Sequence, residues 1–511
     1  MDNGANIANR IPITAAMMMA TMMTVLDQTI ANVALPHMQG SFGAAQDQIS
    51  WVLTSFIIAT AVATPLSGWL GLRFGRRPLF LISIGGFTAA SMLCGVAQNL
   101  PEMVAFRVIQ GCFGAGMMPL SQTVMLDLFP LKQLPVVMSI WSSVIVLGPI
   151  LGPTAGGWLT ENLSWRWCFY INLPFGVLAF LGVYLFMAGG DHGRERPFDF
   201  LGFGALVIFV SAFQLMMDRG PTQDWFLSTE IWTYAIIAMI GFWVFVVQTI
   251  TAEHPFFHRD IAKDRNFVSC TIFSVFTSGL LFSTSALLPT LMQNLLGYSA
   301  MHSGMVSMAR GVGSFVGFVS VPFVINTLPP RLVLATGLCL SVLGLWQMSQ
   351  FDLSMTAAPI INAGIVQGVG MSMVFAPLNV FSWATLNPAH RAEATVVATM
   401  IRSLASSIGI SSMQAALVNG QALAHARLAE KIVTGDPVVS GALPAIMNPA
   451  TQSGLMTLNG EVTRQAAMIS YDTIFAWMAL GALSVFPFLF VMRPPPPEPS
   501  VELTAEPAAA E

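Results

Sequence analysis

The sequence predicts an all-α membrane protein with fourteen transmembrane helices, and three observations carry that prediction. Of its 511 residues, 55 % are hydrophobic and only 9 % charged, where a soluble domain carries about 25 % charge; mean hydropathy is +0.69. Apolar windows of about 20 residues, long enough to cross a bilayer as a helix, recur along nearly the whole chain. A more polar middle, GGDHGRERPFDF (189–200) and TAEHPFFHRDIAKDRNF (251–267), brackets one pair of windows and leaves six on either side.

In chain order the predicted spans are 13–36, 50–71, 79–97, 102–126, 136–159, 167–188, 199–217, 231–250, 267–292, 303–325, 332–350, 357–382, 394–418 and 471–492. The start MDNGANIANR is a short polar leader, and the first apolar stretch is too long and too polar in its middle for a signal-peptide core, so it reads as a retained span. The expected organisation is a six-helix bundle (1–188), an inserted helix pair with linkers (189–266) and a second six-helix bundle (267–492). Such a layout suggests the duplicated bundles of a secondary transporter, with the substrate path between the halves near the midplane. The segment 419–470 is the longest outside the membrane, and its start, VNGQALAHARLAEKI, reads as helix continuing out of the thirteenth span. The Pro-rich, acidic 493–511 reads as a disordered tail.

Lys and Arg set the orientation. The loops on the N-terminal side hold Arg10, Arg73, Arg76, Arg77, Lys132, Arg194, Arg196, Arg259, Lys263, Arg265, Arg331, Arg391 and Arg493. The opposite loops hold only Arg166, Arg219, Arg427, Lys431 and Arg464. Both termini are therefore expected in the cytoplasm. All five cysteines fall within predicted spans, so no disulfide framework is implied. The net charge of −4 argues for no nucleic-acid partner. No lysine sits in a G-x-x-x-x-G-K-[ST] loop, which excludes an ATP-driven pump with its own nucleotide site. The seven histidines sit mainly in loops or at span ends, away from the clusters that an intramembrane enzyme or metal site needs. No cofactor or metal is expected.

The charges inside spans carry the chemistry. In TVLDQTIANVALP, Thr24, Asp27, Gln28 and Asn32 share an arc of about 140° at 100° per residue, so one side of the first span is polar. A carboxylate at a span centre costs about 2.5–3.5 kcal/mol, which points either to a proton-handling site or to a structural hydrogen bond between helices. The candidate partner is Arg107 of the fourth span, at a depth that approaches Asp27; Gln110 and Gln122 on that span are candidates for lining the substrate path. Pairing favours the ionised acid and burial the neutral one, so the site can exchange a proton when a neighbour moves. In VIVLGPILGPTAGGWL, Gly148, Gly152 and Gly156 form a bare ridge for close helix approach. Pro149 and Pro153 each remove a backbone hydrogen bond, leaving a static groove and a hinge both open. Arg310 and Arg402 either neutralise an anionic substrate or bond to backbone carbonyls. Met17, Met18, Met19, Met22 and Met23 read as packing or lipid-facing, and Trp165 and Trp167 as an interfacial belt.

These motifs resemble the major facilitator superfamily, and within it the fourteen-span drug/proton antiporters of the EmrB/QacA type. LDQTIANVALP is similar to the first-span signature of that group, RVIQGCFGAG to its fourth-span motif with Arg107 and Gly111, and LGPILGPTAGG, through Gly157, to its antiporter motif. GWLGLRFGRRPL resembles the superfamily's loop motif, with Gly68, Arg73, Gly75, Arg76 and Arg77 in place and Leu72 where many members have Asp. Asp127 either pairs with Arg73 or Arg76 instead, or is a solvated surface acid. SWRWCFYINLPFG, MMDRG with a following DW, and LLGYSAMHSG are also similar to the EmrB branch. The resemblance implies the major facilitator fold and alternating access between two bundles. It implies export of small hydrophobic or amphipathic compounds from the inner membrane against proton entry, with Asp27 and Arg107 as coupling residues. In Gram-negative relatives it further implies a periplasmic adaptor protein and an outer-membrane channel. The alternative is an exporter of one defined metabolite or siderophore.

Overall fold

Inside lipid the backbone must satisfy its own hydrogen bonds, so spanning segments of this composition fold as helices. The computed structural model describes residues 9–130, 133–188, 197–387, 390–430 and 451–491, with positions 432, 444 and 447 between them. The long helices are α1 (Arg10–Phe42), α2 (Trp51–Phe74), α3 (Arg76–Val96), α4 (Leu100–Leu128), α5 (Leu134–Asn162), α6 (Trp167–Phe186) and α7 (Phe200–Arg219). They continue as α8 (Thr229–Thr251), α9 (Arg265–Asn294), α10 (Ala300–Thr327), α11 (Pro330–Met348), α12 (Ala357–Ala384), α13 (Arg391–Glu430) and α14 (Gln452–Leu483). Thirteen are long and apolar enough to cross a membrane, and α5, bent by 42° between Leu134–Gly148 and Leu151–Asn162, is the fourteenth. Among the described residues there is no strand. Lys132, Arg194, Arg196, Lys431, Arg493 and the tail 493–511 lie outside the described residues.

Local sequence sets the helix ends. Asn99 caps α4 by accepting from Glu102 N, with Pro101 just inside. Asp264 caps α9 through Phe267 N at 2.7 Å, and Ser299 caps α10 through His302 N at 3.1 Å. Gly75, at φ 88°, makes the abrupt turn from α2 to α3 that a side chain would strain.

The last two helices depart from the sequence expectation. The final span, expected at 471–492, belongs to a helix that starts at Gln452 and ends at Leu483. The 40 residues of α13 extend about 60 Å, twice the hydrocarbon thickness. Their outer parts pair as a hairpin, with Ser470 Oγ donating to Leu417 O at 3.0 Å and His425 Nε2 bonded to Asn459 Oδ1 at 3.0 Å. Hydropathy reads QSGLMTLNGEVTRQAAMIS as loop, because a helix that packs in water on one neighbour needs no long apolar run.

The inserted pair is peripheral. α7 rests on α2, where Thr54 Oγ1 donates to the Asp218 carboxylate, and on α13, where Ser407 Oγ donates to Gln214 Oε1 at 3.0 Å. α8 packs on α7 and leaves Trp232, Met239, Ile240, Phe242 and Trp243 exposed, as suits a lipid-facing helix. On α1, Met17 and Met23 are buried in the core, so the methionine run packs rather than facing lipid throughout. Trp167 is exposed as a belt residue would be. Trp165 corrects that reading: it is buried between Phe42 and Phe169, donating to Ser41 Oγ at 3.0 Å.

The two halves meet firmly at the end where α2 turns into α3. There Thr123 Oγ1 and Thr395 Oγ1 share a hydrogen bond of 2.7 Å, and Gln122 Nε2 donates to Asn379 Oδ1 at 3.2 Å. Asn379 in turn donates to Ser142 Oγ at 2.9 Å. A Cβ on Gly68 of α2 would lie 3.0 Å from Val396 Cγ2 of α13. Ile261, Phe267, Trp383, Leu386 and Ala394 join one apolar cluster with Leu126, Leu134 and Val137.

Candidate functional site

Asp27 sits within α1, and side chains from two other helices converge on its carboxylate. Arg107 Nη1 donates to Oδ2 at 2.5 Å, Gln110 Nε2 to Oδ1 at 2.8 Å, and Asn172 Nδ2 to Oδ1 at 3.1 Å. α4 supplies Arg107 and Gln110 one turn apart, and α6 supplies Asn172. The guanidinium is held further by Nε to Val52 O at 3.0 Å and Nη1 to Gln110 Oε1 at 2.9 Å. It lies 4.1 Å from the Phe56 ring centroid and 5.7 Å from that of Phe169. Asp27 is 2 % exposed, Arg107 and Gln110 0 %. Every one of these partners is a donor, an arrangement suited to the ionised acid.

A cavity enclosing about 1430 Å³ of non-atom space, its opening included, lies between the halves. Gln28, Asn32 and Arg402 line it, as do Thr24 and Asn379, and the wall is otherwise mostly apolar with scattered hydroxyls. Three expected lining residues are not on its wall. Gln110 turns into the Asp27 cluster, because its position one turn from Arg107 puts both on one face of α4. Gln122 is buried behind Asn379, and its Oε1 accepts from Arg402 Nη2 at 3.5 Å. Arg310 is buried beside α12, where Gly364 and Gly368 admit its backbone, and donates to Ser285 Oγ of α9. No backbone carbonyl bonds either intramembrane arginine, Arg310 or Arg402, among the contacts of the described residues.

The glycine ridge of α5 faces α1. A Cβ on Gly148 would come 2.3 Å from Val25 Cγ1, one on Gly152 2.0 Å from Thr29 Oγ1, and one on Gly156 3.1 Å from Ile30 O. Gly157 faces Met301 of α10 instead. Pro153 lies in the second part of α5; the Pro149 side chain lies outside the described residues. In the loop motif Arg76, not Arg73, pairs with Asp127, and Arg391 Nη1 stands 3.9 Å from the same carboxylate. Arg73 stacks on Trp69 at 5.0 Å, and Arg77 Nη2 donates to Tyr184 O at 2.7 Å.

His258, Asp260 and His390 bring metal-ligating atoms within 4.8 Å of one another. Asp260, however, accepts from Lys263 Nζ at 3.0 Å, a bond that with the lysine's charge lowers its pKa, and the imidazoles stack at 4.1 Å. His258 Nδ1 is itself engaged, accepting from Asp260 N at 3.4 Å and lying 3.3 Å from Asp260 Oδ2. Sequence reasoning missed Asn172, Asn379 and Asp218. Asn379, a lone amide in the apolar run FAPLNVFSW, carried a signal; Asn172 becomes meaningful only once α6 is placed beside α1.

The sequence pattern described as Major Facilitator Superfamily matches residues 17–410. The chain is 34 % identical over 499 residues to "Multidrug export protein EmrB" of Haemophilus influenzae, covering 94 % of this chain and 96 % of the relative. It is 32 % identical to the protein of the same name in Escherichia coli K12, over 96 % of both. It is 31 % identical to "Fatty acid resistance protein FarB" of Neisseria gonorrhoeae, over 94 % of this chain and 96 % of that one. In fold it is similar to the crystal structure of the human organic anion transporter MFSD10, with TM-score 0.59, 14 % identity and coverage of 94 % and 99 %. The chain is therefore a multi-pass membrane protein that belongs to the Major Facilitator Superfamily of transporters, and within it to the group typified by EmrB.

Proposed function

We propose that the protein exports hydrophobic and amphipathic compounds, drugs among them, across the inner membrane in exchange for protons. The observation that carries this reading is the buried Asp27–Arg107 pair on the helix whose next residues line the cavity: Thr24 and Gln28 face the cavity, while Asp27 faces Arg107. A proton arriving at the Asp27 carboxylate from outside neutralises it and frees Arg107 from its counter-charge. α1 and α4 then shift together, the cavity is exposed to the cytoplasm, and the proton leaves there. In this reading residues 1–188 and 267–492 are the two rocking bundles and 189–266 the added pair. Both termini, Arg76 and Asp127 are cytoplasmic, so the closed end described above is the cytoplasmic gate. The α13–α14 hairpin then stands in the periplasm, placed to hand substrate to an adaptor protein and an outer-membrane channel.

The test is uptake into inverted membrane vesicles under an imposed pH gradient, with a panel of lipophilic cations, weak acids and neutral dyes. Proton-driven uptake of several unrelated compounds supports the reading. Uptake of one compound alone favours an exporter of a defined metabolite or siderophore, and dependence on sodium alone removes the proton assignment.

A further inference from the structure

We propose that the C-terminal half binds a small inorganic anion such as chloride, buried on Arg310 between α9, α10 and α12, at the place that the Asp27 carboxylate takes in the N-terminal half. The inference does not rest on the export reading. It starts from an internal repeat. An offset of 257 residues, the separation of the hydrogen-bonded pair Gln122 and Asn379, also carries RVIQG (107–111) onto GIVQG (364–368) and Asp27 onto Thr284. The contacts repeat with the sequence. Gln110 Nε2 donates to Asp27 Oδ1 at 2.8 Å, and Gln367 Nε2 to Thr284 Oγ1 at 3.2 Å. A Cβ on Gly111 would come 2.7 Å from Phe56 O of α2, and one on Gly368 2.2 Å from Arg310 O of α10, so α10 rests on α12 as α2 rests on α4.

Within this frame the charges differ. Gly364 stands where α4 has Arg107, and the guanidinium comes instead from Arg310, on the helix that corresponds to the one carrying Phe56; a Cβ on Gly364 would lie 3.6 Å from Arg310 Cβ. Thr284 stands where α1 has Asp27, so the second site keeps the cation and lacks the acid. Arg310 is 5 % exposed, Nη2 donates to Ser285 Oγ, and Nη1 has no partner among the described residues. Of the helices packed on α10, α9, α11 and α12 contain no Asp or Glu, and α5 contains only Glu161, exposed near its end. A buried cation without a counter-charge is strongly disfavoured, and a small anion supplies one. Ser307 and Ser314, one turn to either side of Arg310, carry buried hydroxyls that also have no partner among the described residues and can donate to it. Arg310, Thr284 and Gln367 are not among the residues lining the cavity, so the ion is a fixed counter-charge and not a substrate. The competing arrangement is a neutral one. Gln367 Oε1 is likewise unpartnered, and a guanidinium turned onto it would repeat the Arg107–Gln110 bond without neutralising the charge.

The experiment compares the purified full chain in sodium chloride and in sodium gluconate at equal ionic strength, by thermal unfolding and by equilibrium binding of radiolabelled chloride. Wild type should bind chloride saturably, with bromide competing, and its unfolding midpoint should rise with chloride and not with gluconate, as for any ion that binds the folded state alone. Arg310→Met, which removes the charge and keeps an unbranched apolar side chain, should lose both the binding and the chloride-specific shift. Thr284→Asp, which puts a carboxylate where Asp27 stands in the other half, should be stable in gluconate and indifferent to chloride. If Arg310→Met does not fold, wild-type binding and Thr284→Asp decide. Equal midpoints in the two salts without saturable chloride binding to wild type would overturn the proposal in favour of the neutral arrangement. Chloride binding that survives in Arg310→Met, or is unchanged in Thr284→Asp, would overturn the site.

Discussion

Replacing Asp27 by Asn tests the coupling reading most directly, because it keeps side-chain volume and removes titration. The carboxylate takes three donors, and Arg107 and Gln110 are wholly buried. Removing one member of a buried ion pair costs about 3–5 kcal/mol, since it strands the other charge. Here the lower end of that range is expected, because Arg107 keeps Val52 O, Gln110 Oε1 and the face of Phe56. The double variant Asp27→Asn/Arg107→Gln strands no charge and should be more stable than Asp27→Asn alone, by about 1–3 kcal/mol of coupling. Both should lose proton-driven accumulation. The assay is a pair of measurements in proteoliposomes: uphill uptake under a pH gradient, and substrate counterflow without one. Wild type should do both, Asp27→Asn only counterflow, and Asp27→Glu should keep partial uptake with an altered pH profile. Each 100 mV gives about 2.3 kcal/mol per charge moved, close to a 50-fold concentration ratio, so the loss is easily read. Normal uphill uptake by Asp27→Asn would refute the coupling role and leave Asp27 a structural hydrogen-bond partner.

The other expectations follow from contacts elsewhere. Gly152→Leu should abolish transport while the protein still inserts, because even a Cβ there would collide with Thr29 on the helix that carries Asp27; full activity at normal expression would count against the ridge. Removing the hairpin beyond Leu423 and Leu458 should lower resistance in cells and spare transport in vesicles, and equal loss in both would place the hairpin in the pump itself.

Much of this architecture was legible because the bilayer makes charge rare. With 9 % charged residues, Asp27, Arg107, Arg310 and Arg402 stand out at once. Their partners were harder to read, since an uncharged amide such as Asn172 gains meaning only from the helix beside it. Gln110 was noticed but assigned to the wrong surface, although its spacing from Arg107 already put the two on one face. Hydropathy also misplaced the start of α14, because the hairpin is held by contacts such as Ser470 to Leu417 O and His425 to Asn459 and not by apolar length. The departure at Leu72 was visible in the sequence, but only the structure shows Arg76 of the next helix meeting Asp127.

If Asp27 carries the coupling proton as proposed, its place on α1 lets a proton held out of the cavity govern what the cavity does. Asp27 is not on the cavity wall, so in that reading substrate and proton share a helix without competing for one group. Moving a two-state equilibrium from 1:99 to 99:1 takes about 5.5 kcal/mol of differential binding. Stranding one member of a buried ion pair costs about 3–5 kcal/mol, so in the proposed cycle protonation of Asp27 supplies a large part of that switch. The glycine ridge couples this change to its neighbours: with Val25, Thr29 and Ile30 seated directly on α5, α1 has little room to move without carrying α5 along. α5 in turn packs on α10 through Thr154 and Gly304, across the division between the halves. In the proposed cycle, a charge neutralised at Asp27 therefore reaches the C-terminal half, and with it the walls of the cavity between the halves, through these backbone-close contacts.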